Sequence, residues 1–363
     1  MFHSVADAAG QVLVGGFAGK ELPFDLSQAL GRGEMGGVIL FKRNLGTLEE
    51  VATLIRSIRA ACRDREFAPW IAVDQEGGRV ARLGPPLLRL PPMRALGDRD
   101  DADLTERAGR ILGQSLATLG FNCNFAPVLD VDTNPQNPVI GDRAFSSDPH
   151  RVATHGIAFA KGLGSAGILA CGKHFPGHGD TDLDSHLALP RLPHAMERLE
   201  EVELVPFRKA IGHVPTLMTA HVVFDAIDPS VPATLSRAVI TDLLRTRMGY
   251  KGVIVSDDLE MKAVRDHWGI PDSALRAIDA GCDTLLVCSD MAALAETREH
   301  LTRTGERDST FRAKLLRAAT RNAELLRSIP AGAAPGRDFM EQIRSPEVVE
   351  LEAELGTAGP PMA

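Results

Sequence analysis

The sequence predicts a (β/α)8 barrel of the TIM type, closed by a short irregular and helical C-terminal tail. Three observations carry that prediction. Eight short runs are apolar throughout, helical patterns alternate with them, and titratable residues gather at the carboxyl ends of the runs. Strands apolar at every position, not every second one, are buried on both faces, as in a parallel sheet covered by helices. Eight βα repeats close such a sheet into a barrel.

The runs occur at about 11–17, 37–41, 70–74, 124–130, 168–174, 216–221, 252–257 and 284–288. Between them Val51, Leu54, Ile55 and Ile58 fall at i, i+3, i+4, i+7. Leu104, Ala108, Ile111, Leu112, Ser115, Leu116 and Leu119 make a second such face. Further helical patterns cover roughly 150–165, 195–212, 236–248, 272–280, 291–303 and 311–327. A doubly wound sheet is the structural rival. The ends of the runs favour the barrel: Asp74, Asp130, His174, His221 and Asp257 stand at or just past the last apolar residue, and a barrel brings all of them to one mouth. Residues 1–330 are thus expected to form the catalytic domain. Residues 331–363, rich in Ala, Gly and Pro with one acidic amphipathic stretch at 345–355, read as a linker, a short helix and a loosely packed tail.

Composition narrows the function. Hydrophobic residues make up 44% of the 363, enough for a full core. The net charge is −8 and the basic residues are dispersed, which argues against a nucleic-acid partner. The first residues, Met-Phe-His-Ser-Val-Ala-Asp, lack the basic and apolar regions of a signal peptide. No run approaches about 18 consecutive apolar residues, so no membrane span is expected. Five scattered cysteines without a Cys-x-x-Cys pair suit reduced core thiols, and a cytoplasmic, monomeric protein is expected.

Residues 173–186 read Lys-His-Phe-Pro-Gly-His-Gly-Asp-Thr-Asp-Leu-Asp-Ser-His. This stretch is too polar for a core and too dense in titratable groups for an ordinary loop. In Asp184-Ser185-His186 the carboxylate can hold the imidazole and favour its charged form, giving a group that donates and recovers a proton near neutral pH. A lone loop histidine is usually incidental; Gly177, His178 and Gly179 beside this one shift the balance toward chemistry. Asp257, at the end of a buried run, can act as nucleophile, base or metal ligand, or cap the next helix. Asp258, one step nearer that helix, is the better cap. In 74–82, Asp74 can accept sugar hydroxyls and Arg82 can fork onto hydroxyls or a carboxylate, whereas Glu76 and Arg79 read as a structural turn with a salt bridge. Arg143 lies on a polar loop, about 131–149, that reads as a substrate loop. The histidines and aspartates of 174–186 could ligate zinc but have neither a His-Glu-x-x-His nor a calcium-loop spacing, so no metal is expected. The Gly pairs match no nucleotide fingerprint, so no cofactor is expected either.

Taken together, these motifs resemble glycoside hydrolase family 3, in its β-N-acetylglucosaminidase branch of the peptidoglycan-recycling NagZ type. The resemblance rests on Lys-His-Phe-Pro-Gly-His-Gly with the following Asp-Ser-His, on 73–80, 125–130, Gly141-Asp142-Arg143, Ala220-His221-Val222 and Ser256-Asp257-Asp258-Leu259, and covers roughly residues 10–290. It implies a retaining exo-hydrolase that removes terminal N-acetyl-β-D-glucosamine from muropeptides or chito-oligosaccharides. Asp257 is then the nucleophile, His186 the acid/base assisted by Asp184, and Asp74, Arg82, Arg143, Lys173 and His174 bind the sugar. Ala144 stands where serine is frequent in the family. The second α/β domain of many members, which often carries a Glu acid/base, is absent, consistent with a histidine in that role. The rivals are a phosphorylase on the same scaffold, since a histidine does not repel phosphate as a carboxylate does, and a sugar-binding protein without catalysis.

Overall fold

The computed structural model describes residues 2, 4–185, 187–329 and 339–357. Eight parallel strands close a barrel: β1 (Leu13–Gly15), β2 (Gly37–Leu40), β3 (Trp70–Val73), β4 (Cys123–Asn124), β5 (Leu169–Phe175), β6 (Thr216–Thr219), β7 (Val253–Asp258) and β8 (Thr284–Val287). Each strand pairs with its successor, and β8 returns to β1 through Leu13↔Leu285 and Val14↔Leu286.

The continuous apolar runs are explained by what each strand buries. Trp70 and Ala72 pack inside the barrel with Val14, Ile39, Cys171, Val255 and Leu286. Ile71, Val73, Ile254, Leu285 and Val287 belong to the larger core between barrel and helices. Alternate residues therefore face two apolar environments, and none faces water. All five cysteines are buried and free.

The helices form where the spacing places them. Leu48–Ala61 starts at a capping box, in which Glu50 N–H donates to Thr47 Oγ1 at 3.3 Å and Thr47 N–H to Glu50 Oε2 at 2.8 Å. Its Val51, Leu54, Ile55 and Ile58 are all buried. Ala102–Leu119 is capped by Asp101 and ends at Gly120, whose φ of 95° is a left-handed cap that glycine tolerates. Among the described residues no helix is long and apolar enough to cross a membrane.

Two expectations need correction. The fourth run does not continue as a strand to residue 130. Its regular ladder stops at Asn124, where Ala126 N–H turns back on the Asn124 carbonyl at 2.8 Å, and pairing with β5 goes on irregularly through Ala126, Pro127 and Leu129, with a bridge between Val128 and Lys173. The tail is not loose over 339–357. Helices Phe339–Ile343 and Pro346–Leu355 dock on Ala102–Leu119, burying Phe339, Ile343, Val348, Leu351 and Leu355. Its acidic residues form ion pairs: Glu347 with Arg110, Glu354 with Arg107, and Glu352 with Arg344 at 2.8 Å. Residues 331–338 and 358–363 lie outside the described residues.

Candidate active site

The strand ends surround a cavity of about 190 Å3, lined by Asp74, Glu76, Arg82, Arg143, Lys173, His174, Asp257 and Asp258 over a floor that includes Phe125, Met218 and Leu286. One wall is a buried ion network. Lys173 Nζ, on β5, lies 2.8 Å from Asp74 Oδ1 and 2.6 Å from Glu76 Oε1. Glu76 also accepts two hydrogen bonds from Arg143, at 2.9 Å from Nε and 2.8 Å from Nη2. Arg82 approaches Asp74 at 3.6 Å.

Burial opposes charge on Glu76, but Arg143 and Lys173 overcome it and hold the carboxyl well below the usual range. Burial also opposes charge on Lys173, and Asp74 and Glu76 push its ammonium the other way, above the ordinary lysine value. Glu76 and Lys173 are therefore both charged at neutral pH. Glu76 reaches it from a two-stranded ribbon, Gln75–Gly77 with Val80–Ala81. The turn uses Gly77 at φ 130°, where a Cβ would stand 2.7 Å from the Pro91 carbonyl oxygen. Sequence reasoning read Glu76 as a salt bridge in a turn; the pairing exists, and it joins two of the sugar-binding candidates.

His174 is held by Asp130. The fully buried carboxylate accepts from His174 Nδ1 at 2.7 Å and from the His178 backbone N–H at 2.7 Å. Burial alone would raise the Asp130 pKa; His174 and the donated N–H lower it below the usual value. Asp130 thus fixes the imidazole tautomer and leaves Nε2 for other partners.

His178, a neighbour of the catalytic candidates that sequence reasoning did not assign, organises the next loop. Its Nδ1 lies 2.7 Å from Thr181 Oγ1 and its Nε2 3.0 Å from Ser185 Oγ. Thr181 donates its hydroxyl proton to the His178 carbonyl at 3.0 Å, so it accepts from Nδ1–H, and Ser185 donates to Nε2. Burial, then the nearby His174, pushes His178 down to about 4, which keeps this neutral tautomer. Ser185 stands between Asp184 and His186, and its carbonyl accepts from Ala263 N–H at 3.3 Å. Asp184 is half-buried on this loop, and its carbonyl accepts from Leu187 and Ala188. His186, the acid/base candidate, lies outside the described residues.

At the end of β7 the pairing with β8 shifts register between Val255 and Asp258, and both Asp257 and Asp258 line the cavity. Asp258 N–H donates to Asp257 Oδ1 at 2.8 Å. Asp258 Oδ1 accepts from Glu260 N–H at 3.0 Å and Cys288 N–H at 3.3 Å, and its carbonyl from His221 Nε2 at 2.9 Å. Asp258 is not the cap of the next helix: Lys262–Trp268 has Met261 at its N-cap, and Asp258 instead ties a turn to the end of β8. Burial pushes its pKa up to about 7. Among the described residues no group of three or more His, Cys, Asp or Glu is placed to hold a metal ion.

The structure therefore brings together Asp74, Arg82, Arg143, Lys173, His174 and Asp257, with Asp184 on the adjoining loop. Ionised carboxylates, fixed cations and an apolar floor suit a polyhydroxylated ligand with an apolar face. Residues 15–320 match the glycosyl hydrolase family 3 N terminal domain. A beta-hexosaminidase of Pseudomonas aeruginosa (strain LESB58) is 42% identical over 269 residues, 73% of this chain and 78% of that protein. A family 3 beta-N-acetylglucosaminidase from Paenibacillus sp. str. FPU-7 superposes with a TM-score of 0.92 at 38% identity, over 98% of this chain and 68% of that one. NagZ from Neisseria gonorrhoeae, 34% identical, gives a TM-score of 0.82 over 97% of this chain and 98% of its own. That protein has also been solved with N-trifluoroacetyl-D-glucosamine. A closed barrel with these motifs at its mouth and these relatives belongs to glycoside hydrolase family 3, and the chain is a glycoside hydrolase of the beta-hexosaminidase kind.

Proposed function

We propose that the enzyme is a retaining exo-hydrolase releasing terminal non-reducing N-acetyl-β-D-glucosamine, with cytoplasmic muropeptide fragments as its substrates. One observation carries this reading: Asp257 ends a barrel strand at a small cavity walled by fixed charges. The volume of about 190 Å3 is below the roughly 300–1,000 Å3 of drug-sized ligand sites and suits one sugar residue. The Neisseria gonorrhoeae enzyme's complex with a glucosamine derivative supports the same choice of sugar.

Asp257 attacks the anomeric carbon and forms a covalent glycosyl-enzyme, while His186, oriented by Asp184, protonates the departing oxygen. Neutral His186 then takes a proton from water, which releases the sugar with its configuration retained. Because a histidine replaces one carboxyl, the usual spacing of about 5–5.5 Å between two carboxyl groups does not apply. Asp74 accepts sugar hydroxyls. Lys173, Arg82, Arg143 and His174 donate to hydroxyls, to the acetamido oxygen or to a lactyl carboxylate.

The test compares leaving groups in His186→Ala. A sugar alkoxide needs the proton donor and a nitrophenolate hardly does, so loss on a natural disaccharide exceeds loss of the glycosylation step on an activated aryl β-N-acetylglucosaminide. With the aryl substrate the glycosyl-enzyme accumulates, and azide restores turnover because it attacks without deprotonation. A 2-deoxy-2-fluoro donor labels Asp257. Equal losses on both substrates without azide rescue, or label on Asp258 or Asp130, overturn the assignment.

A further inference from the structure

Two aspartates end β7 side by side at the cavity, and their surroundings differ. Asp258 Oδ1 is committed to two backbone N–H groups, those of Glu260 and Cys288. Oδ2 accepts no hydrogen bond from any described residue, although Asp258 lines the cavity. The groups facing this carboxyl are mostly anionic or neutral. Asp257 precedes it on β7, and Glu260 follows on the turn. The Cys288 thiol sits at the end of β8, and His221 past β6 donates to the Asp258 carbonyl, not to its carboxyl. Arg43 is spent on the carbonyls of Phe17 and Cys288. Asp74 faces the cavity from β3, where it engages Lys173 and Arg82. Among the described residues no cation forms an ion pair with Asp258. Burial beside other carboxylates without a cation favours a neutral acid.

We propose that Asp258 serves the reaction as a neutral carboxylic acid, carrying its proton on Oδ2 and donating a hydrogen bond into the cavity toward the sugar held against Asp257. This inference rests on the hydrolase reading above, with Asp257 as nucleophile. It gives the adjacent aspartates opposite protonation states: one ionised to attack, the other protonated to bind. No second anion then has to be held in a partly desolvated site beside the first. The displacement of the carboxyl toward a value of about 7 agrees with this state but does not by itself show where the proton points.

The decisive variant is Asp258→Asn. Asparagine Oδ1 can still accept from Glu260 and Cys288, and its NH2 replaces the proposed O–H donor. The expected result at pH 6 is kcat/KM on an aryl β-N-acetylglucosaminide within about threefold of wild type. The alkaline limb of wild type then moves upward by about one pH unit or more in the variant, because asparagine does not titrate. Asp258→Ala, which lacks the donor, loses about tenfold or more at pH 6, mainly in KM. In infrared difference spectra a protonated-carboxyl band is present in wild type near neutral pH and missing from Asp258→Asn. A loss of more than about a hundredfold in Asp258→Asn at pH 6 means that the charge is needed, and an unmoved alkaline limb means that the proton is not used; either overturns the proposal. The 2-deoxy-2-fluoro label is read in parallel. Label away from Asp257 defeats the nucleophile assignment, whereas label on Asp257 with an unmoved limb defeats only the role given to Asp258.

Discussion

Replacing Glu76 by glutamine tests whether the buried ion network holds together the wall of the proposed sugar site. Four charges balance there: Asp74 and Glu76 against Lys173 and Arg143. Glu76 is only 1% exposed and accepts from both cations, at 2.6–2.9 Å. Glutamine is nearly the same size, but it removes the charge and sets an NH2 against donors, leaving a net positive buried cluster. Removing one partner of a buried pair costs about 3–5 kcal/mol, a large part of the roughly 5–15 kcal/mol that stabilises a folded domain. Urea unfolding of wild type and Glu76→Gln at pH 7 measures it. The pH dependence supplies a second check. The folded-state pKa of Glu76 is depressed, so its stabilisation is fully present above the unfolded glutamate value of about 4.3 and is lost as pH falls toward the folded one. At about 1.36 kcal/mol per unit, the gap between wild type and variant narrows by roughly 1.8 kcal/mol on going to pH 3. A gap below about 1 kcal/mol at pH 7, or one that does not change with acidification, refutes the network as described.

Two further predictions address the tail and the loop that carries Asp184. Leu351, 1% exposed in the docked tail helix, should cost about 2–5 kcal/mol when replaced by alanine, with kcat/KM at 25 °C unchanged; a chemical-denaturation midpoint equal to that of wild type would show that the tail does not dock. His178→Ala removes the link between Thr181 and Ser185, and a shift of about 1 Å in a positioned group can cost 10²-fold. A drop of about ten- to a hundredfold in kcat on a natural disaccharide, with KM little changed and a milder effect in Ser185→Ala, is therefore expected. Wild-type kinetics in both variants would free the loop from His178.

The barrel was legible because its signal is repeated and redundant. Each strand is apolar at consecutive positions because one face meets the barrel interior and the other the helices, as Trp70 and Ile71 show. A single ambiguous run does not change the count. The fourth run misled in length, not in place: the ladder turns irregular after Asn124, yet the chain still delivers Asp130 to His174. The tail misled for a different reason. An acidic amphipathic segment looks loose until its partners are known, and Arg107 and Arg110 lie more than two hundred residues away in sequence, on a helix whose apolar face alone was visible. The site divides along the same line. Residue types at strand ends pointed to Asp74, His174 and Asp257 as candidates, because a barrel makes strand ends meet whatever the loops do, whereas Lys173 was proposed as a sugar binder through the family resemblance. Pair geometry was not available from a string of residues. That Glu76 would clamp Arg143 and Lys173 depends on loops crossing from different strands, and that His178 would accept from Ser185 depends on how one loop folds back on itself. The adjacent pair Asp257-Asp258 shows the limit most clearly. As letters the two are identical; the register shift of β7 leaves both at the cavity, and what favours the proposed neutral acid at Asp258 is burial beside Glu260 and Asp257, against the pull of the two backbone N–H groups that it accepts.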